Sequence, residues 1–226
     1  MPRIFVCRSI PEPGLALLRK RFGQAAVEVF PHDRVVSRKE LIESVRAVDA
    51  VLPILTDRID GEVMDAAGPQ LKIIANYAVG YDNIDVAAAT RRKIAVTNTP
   101  GVLTESTADL AWALLMAAAR RLGEAERSLR AGQWTGWGPM VFLGVDVHGK
   151  TLGIFGMGRI GQAVARRAQA FRMRVIYYDP ADVRLGPDLI ATPVDKATLL
   201  AESDFLSVHC PLLPETRHAF GPKEFD

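Results

Sequence analysis

The chain has 226 residues, 49% of them hydrophobic and 24% charged, the proportions of a globular protein with one large or two modest cores. A net charge of +2 gives no electrostatic reason for a nucleic-acid or membrane-surface partner. The longest apolar run, Leu110 to Ala119, is too short to span a bilayer. Cys7 and Cys210 stand far apart without metal-ligand spacing, and the N-terminus lacks the pattern of a signal peptide. Buried thiols in a reducing, cytoplasmic setting and no metal site are therefore expected.

The first half alternates strand and helix signals. Ile4 to Cys7 predicts a strand, Gly14 to Phe22 a helix, and Val27 to Phe30 a strand. Ser37-Arg-Lys-Glu40 has the form of a capping box opening a helix to about Arg46. Ala50 to Ile54 is strand-like and is followed by a helix over 61–67; Leu71 to Ala75 is another strand, with a helix from Asp85 to Arg92; Ile94 to Thr97 closes the series. Such alternation argues for a parallel sheet covered by helices. Asn98-Thr-Pro-Gly101 is a turn cluster and places a domain boundary at residues 98–99.

A long helix is expected from Thr104 to about Arg121, then a looser segment over 132–139 with two exposed tryptophans, Trp134 and Trp137. The strands of the second half are expected over Leu152–Phe155, Val175–Tyr178, weakly near Leu189–Ala191, and over Phe205–His209. The basic clusters, among them Arg120-Arg121 and Arg166-Arg167, sit where helices should end and suit solvated faces or cations at helix C-termini. The fold class is thus α/β, with two βα-wound parallel-sheet domains over 1–98 and 99–226.

Within the second half, Thr151 to Phe155 runs into Gly156-x-Gly158-x-x-Gly161, a helical pattern follows, and a second apolar run ends in Asp179. This is a dinucleotide-binding unit. Gly156 allows the turn off the strand, Gly158 admits a diphosphate close to the backbone, and Gly161 lets the helix pack on the strand. The helix N-terminus holds the phosphates, and Asp179 would accept hydrogen bonds from the adenosine ribose. A carboxylate there repels a 2′-phosphate and favours NAD over NADP, with Arg184 near enough to work against that preference.

Four ordered motifs carry a family resemblance: Asn76 to Asp85, Asn98 to Ala111, Gly149 to Gly161 and His209 to Thr216. Together they resemble the D-isomer-specific 2-hydroxyacid dehydrogenases, in the glyoxylate/hydroxypyruvate reductase branch. The resemblance implies a flavodoxin-like substrate domain followed by an incomplete Rossmann NAD-binding domain, and a small 2-keto or 2-hydroxy acid as substrate. It implies that Val79 and Gly80 bind the substrate carboxylate through backbone N–H groups and that Leu55 lines an apolar wall. A plain turn and a core leucine are the blander readings. Thr104, whose hydroxyl also suits a helix N-cap, is implied to contact the cofactor. Arg159 and Ile160 are implied to offer it helix amides, and His209, Cys210, Pro211 and Thr216 to line it. Trp137 and the 104–121 helix are implied to serve a homodimer. The family's catalytic Arg, Glu and His correspond to no residue before Asp226, so a C-terminally truncated chain, inactive alone, is expected. A non-catalytic NAD-binding regulator and a phosphoglycerate or formate dehydrogenase relative are the alternatives.

Overall fold

The structure is a computed structural model that describes residues 1–225. The chain divides into two compact units, one over Met1–Pro100 and the other beginning at Gly101. Each is built on its own parallel sheet.

The first unit has five short strands, β1 (Ile4–Val6), β2 (Val27–Val29), β3 (Ala50–Leu52), β4 (Ile73–Ala75) and β5 (Ala95–Thr97), in the order β2-β1-β3-β4-β5. That is the flavodoxin-like strand order. Both faces of β1 are buried, and period-2 alternation sends its side chains to different cores. Ile4 and Val6 pack with Leu15 of α1 (Glu12–Phe22), while Phe5 and Cys7 join Leu41, Val63, Met64 and Ala88. The latter come from α2 (Arg38–Ser44), α3 (Gly61–Ala67) and α4 (Val86–Arg91). The expected capping box is present: Ser37 Oγ accepts the Glu40 N–H at 3.3 Å, and Glu40 Oε2 accepts the Ser37 N–H at 3.0 Å. Asp60 and Asp85 cap α3 and α4 in the same way, accepting the N–H groups of Val63 and Ala88.

The second unit holds α5 (Thr104–Ala119), α6 (Leu122–Arg130), β6 (Thr151–Phe155), α7 (Arg159–Ala168), β7 (Arg174–Tyr178), β8 (Thr192–Pro193), α8 (Lys196–Glu202), β9 (Phe205–Val208) and α9 (Pro222–Phe225). Its sheet runs β8-β7-β6-β9, the 3-2-1-4 portion of the Rossmann order. Leu152, Ile154, Val175 and Tyr177 face the core beneath α5 and α7; Phe155 and Ile176 face Leu199 of α8. Trp112 fastens α5 to α7: its indole N–H donates to the Val164 carbonyl at 2.9 Å, and its ring stacks on Phe171 at 4.8 Å. Arg167 adds ion pairs to Glu105 and Asp109 of α5. Its guanidinium therefore clamps two helices rather than merely standing at a helix end.

Three elements differ from expectation. The long helix stops at Ala119, because Arg121 adopts a left-handed conformation (φ 52°), and α6 starts afresh at Leu122. None of the residues of α6 is buried, so its few apolar positions give no long stripe in the sequence. The weak third strand lies at Thr192–Pro193 rather than Leu189–Ala191; Leu189 instead fills the core as a loop residue. A proline is tolerated there because β8 is an edge strand. The helix expected from Gly14 begins earlier, at Glu12, with Pro at its first positions.

Replacing Ser37 by Ala should lower the unfolding free energy of the first unit by about 1 kcal/mol, read by denaturant unfolding followed by circular dichroism. An unchanged midpoint would show that the cap contributes nothing.

Candidate functional site

The glycine loop lies where β6 hands over to α7. Gly156 has φ 97°, and a Cβ there would lie 2.6 Å from the Cys210 nitrogen. Only glycine meets both conditions. A Cβ on Gly161 would collide with the Gly156 carbonyl oxygen, so that glycine sets the close approach of helix to strand. Gly158 is different: a Cβ there meets nothing within 4 Å. Its missing side chain leaves room above the N-terminus of α7, where Gly158 is the N-cap and makes no side-chain capping bond. The N–H groups of Gly158, Arg159, Ile160 and Gly161 have no acceptor among the described residues. Four unpaired donors beside an open floor fit a diphosphate. Gly153, one position the sequence did not single out, lies against Ser203 with no space for a side chain.

Asp179 directly follows β7 beside this loop, and its carboxylate is already in use. Oδ2 accepts the Met157 N–H at 2.8 Å, and Oδ1 accepts the Ala181 N–H at 2.9 Å. Each carboxylate oxygen keeps a lone pair, so ribose hydroxyls can still be accepted. Arg184 is exposed, and its carbonyl accepts from Gln162 of α7 at 3.3 Å.

Across β6 from this acid, His209 follows β9, with its N–H donating to the Phe155 carbonyl at 2.8 Å. His209 Nε2 lies 2.7 Å from Ser207 Oγ, and burial pushes the imidazole below the ordinary histidine value. Cys210 is half-buried and abuts Gly156. Thr216 ties the loop together by donating to the Pro211 carbonyl at 2.6 Å and accepting the Leu213 N–H at 2.8 Å. Pro211 is exposed. Thr104 is the first residue inside α5, not its cap; Leu103 holds that position, where no side-chain bond is made. The N-cap reading of its hydroxyl is therefore corrected.

In the first unit, the turn after β4 presents Val79 half-buried and Gly80 exposed. Its carbonyls are engaged: Ala78 O accepts the Thr99 N–H, Val79 O accepts from Asn98 Nδ2, and Gly80 O accepts from Asn76 Nδ2, each at 2.8 Å. The N–H groups of Val79 and Gly80 have no acceptor among the described residues. The turn is thus donor-rich, as an anion site built from backbone requires. Gly80 does not need a positive φ; a Cβ there would lie 3.3 Å from Asp82 and 3.9 Å from Leu55 Cδ2. Glycine keeps the space over Leu55 clear. Leu55 is 59% exposed, so it is not a core leucine.

Beneath the turn, Asn76 and Asp57 are buried. Burial pushes the Asp57 carboxyl up; burial, together with Asp57 beside it, pushes the Cys7 thiol up. The sequence assigned no role to Asn76, Asn83, Asn98 or Asp57. The one available signal was their density around Val79 and Gly80.

Elsewhere in the second unit an apolar groove of about 690 Å³ lies between α6 and the following segment, lined by Leu122, Leu129, Trp134, Trp137, Val141 and Phe142. Trp137 is 86% exposed. No helix among the described residues is long and apolar enough to cross a membrane.

A Rossmann-type sheet ending in an acceptor-poor glycine loop, with an acid at the tip of the adjacent strand, defines a dinucleotide-binding α/β protein. Residues 112–226 match the family model of the D-isomer specific 2-hydroxyacid dehydrogenase NAD binding domain. The chain is 52% identical over 232 residues to the glyoxylate reductase of Thermococcus gammatolerans, covering 99% of this chain and 67% of that protein. It is 53% identical over 229 residues to the glyoxylate reductase of Korarchaeum cryptofilum, with the same coverage. Among solved structures, a glyoxylate reductase from Paecilomyes thermophila superposes with a TM-score of 0.81 at 34% identity, over 99% of this chain and 69% of that one. The chain belongs to the D-isomer specific 2-hydroxyacid dehydrogenase family, and it spans about two thirds of the length of these relatives.

Two outcomes follow from this geometry. Gly158→Ala should leave the melting temperature of the second unit within about 2 °C, while weakening NADH binding about tenfold as the methyl group fills the phosphate floor. Gly156→Ala should destabilise the unit by more than about 2 kcal/mol, from the clash and the positive φ together. Nicotinamide fluorescence and thermal unfolding read both, and equal behaviour of the two variants would refute the distinction. The depressed His209 value has a definite sign. The folded state binds this proton less readily than the unfolded state, so stability falls as pH drops through 6.5 towards the lower folded value. His209→Gln should flatten that part of a stability profile measured between pH 7 and 5.

Proposed function

We propose that this chain carries the cofactor unit and the carboxylate-binding unit of an NAD-dependent glyoxylate reductase acting on small 2-keto acids such as glyoxylate and hydroxypyruvate. The observation that carries the proposal is the turn at Val79 and Gly80. It offers two N–H groups without acceptors among the described residues, beside the exposed Leu55, in a chain whose relatives bear the name glyoxylate reductase. When bound, a nicotinamide dinucleotide supplies the hydride that reduces the keto carbon. The residues of the chain bind and orient. Amides at Gly158, Arg159, Ile160 and Gly161 take the diphosphate, and Gly156 shapes the loop that presents them. Asp179 accepts from the adenosine ribose. Thr104, His209, Cys210, Pro211 and Thr216 line the rest of the cofactor. Val79 and Gly80 hold the substrate carboxylate, and Leu55 shields its apolar side from water.

Two copies pair through the 104–121 region, where Leu110 and Leu114 are about 60% exposed on α5 and Trp137 projects nearby in sequence. The two free thiols suit a cytoplasmic setting.

Asp179 decides between NAD and NADP. A like-charge contact between its carboxylate and a 2′-phosphate costs about 1–4 kcal/mol at surface-like dielectric. NADH should therefore bind at least about tenfold more tightly than NADPH, and Asp179→Ser should shrink that gap severalfold. Fluorescence titration with both cofactors checks this; tighter binding of NADPH by the unsubstituted chain would sink the assignment.

A further inference from the structure

The turn that offers the anion-binding amides does not stand alone. Its geometry is fixed from below by two asparagines that face each other. Asn76 Nδ2 donates to Asn83 Oδ1 at 3.1 Å, and Asn83 Nδ2 lies 3.2 Å from Asn76 Oδ1. The other partners reach in opposite directions. Asn76 donates to the Gly80 carbonyl at 2.8 Å. Asn83 donates to the carbonyls of Ile54 and Asp57, both at 3.1 Å. Those two carbonyls bracket Leu55, and Asp57 closes the same turn by accepting the Ile54 N–H at 2.9 Å through Oδ2. The amide orientation follows from the partners: reversing Asn83 would aim its oxygen at two carbonyl oxygens.

We infer that Asn83 is a positioning residue which, through Asn76 and the Ile54 carbonyl, holds the Val79–Gly80 amides and Leu55 in one fixed arrangement for a 2-keto carboxylate. The inference rests on the proposed reading of that turn as the carboxylate site. The network occupies carbonyl oxygens in the loops after β3 and β4 and takes no N–H from Val79 or Gly80. Donors are thereby concentrated where an anion would lie. A carboxylate spanning two amides and an apolar wall tolerates little relative movement of the three groups. A residue that ties the wall to the donors therefore acts on affinity without touching the ligand.

The test uses the 226-residue chain, ¹⁵N-labelled, titrated with oxamate, an unreactive mimic of glyoxylate. In the unsubstituted chain the Val79 and Gly80 amide resonances should shift saturably. Asn83→Asp keeps the shape of the side chain and removes the amide donors; it should weaken oxamate binding at least about tenfold, with NADH affinity within about twofold of the parent. Asn83→Ser, which keeps one donor, is the milder second variant and should fall between the two. Ser37→Ala, which removes the α2 cap in the same unit, is the control for general destabilisation and should lower the melting temperature without changing oxamate affinity. Parent-like oxamate binding by Asn83→Asp and Asn83→Ser, beside a normal response of the parent, overturns the positioning role alone. So does an equal loss in Ser37→Ala, which makes the effect one of stability. No saturable shift at Val79 and Gly80 in the parent overturns the carboxylate reading of the turn, and this inference with it.

Discussion

The second unit depends on the contact between the start of α7 and the end of β6. With no Cβ on Gly161, the helix backbone comes up against the Gly156 carbonyl oxygen, and with no Cβ on Gly156 the strand end comes up against His209 and Cys210. Three chain segments therefore converge within backbone contact distance. The orphan amides of α7 lie on that convergence, and so does the loop after β9. A larger residue at either glycine would separate the segments and with them the donors, the acid at Asp179 and the backbone at His209. Trp112 and Arg167 hold α5 against the same helix from the other side, so the packing of α7 is fixed on both flanks.

The two candidate sites share one electrostatic principle although they lie in different units. Both offer backbone N–H groups to a negative group. In each, backbone carbonyls are turned away or already bonded and backbone N–H groups are left over. At the glycine loop the helix terminus does this without help, because the first turn of any helix lacks acceptors. The turn after β4 has no helix behind it, and there the side-chain amides of Asn76 and Asn98 occupy the carbonyls instead. Amides suit the task because they remain neutral over the working pH range, so the donor surplus does not change with protonation.

Much of this was legible in the sequence, for reasons that also explain the omissions. Strands buried on both faces, such as Leu152–Phe155, announce themselves as short apolar runs, and the glycine spacing followed by Asp179 fixes a strand, a turn and a helix at once. The capping box at Ser37 is a local pattern and appeared as expected. What escaped was either nonlocal or weakly apolar. The pairing of Asn76 with Asn83, and of Asn83 with Ile54, depends on a contact between loops after different strands, which periodicity does not encode. The end of the long helix near Arg121 was legible, but the helix that restarts at Leu122 was not, because its nine residues carry few apolar positions and none is buried. The third strand of the second sheet was misplaced because Leu189 is as buried as a strand residue while lying in a loop.

Asp179 has a consequence for how such a protein can change. In the proposed reading its carboxylate would select the cofactor, and it also accepts the Met157 N–H in the middle of the glycine loop. On that proposal, loop stiffness and cofactor choice would be vested in one side chain, and a mutation that relaxed the second would also loosen the first. A lineage that moved towards phosphorylated cofactors would have to replace the Met157 acceptor before, or together with, the loss of the acid. That order of events would make the proposed cofactor preference hard to reverse by single steps.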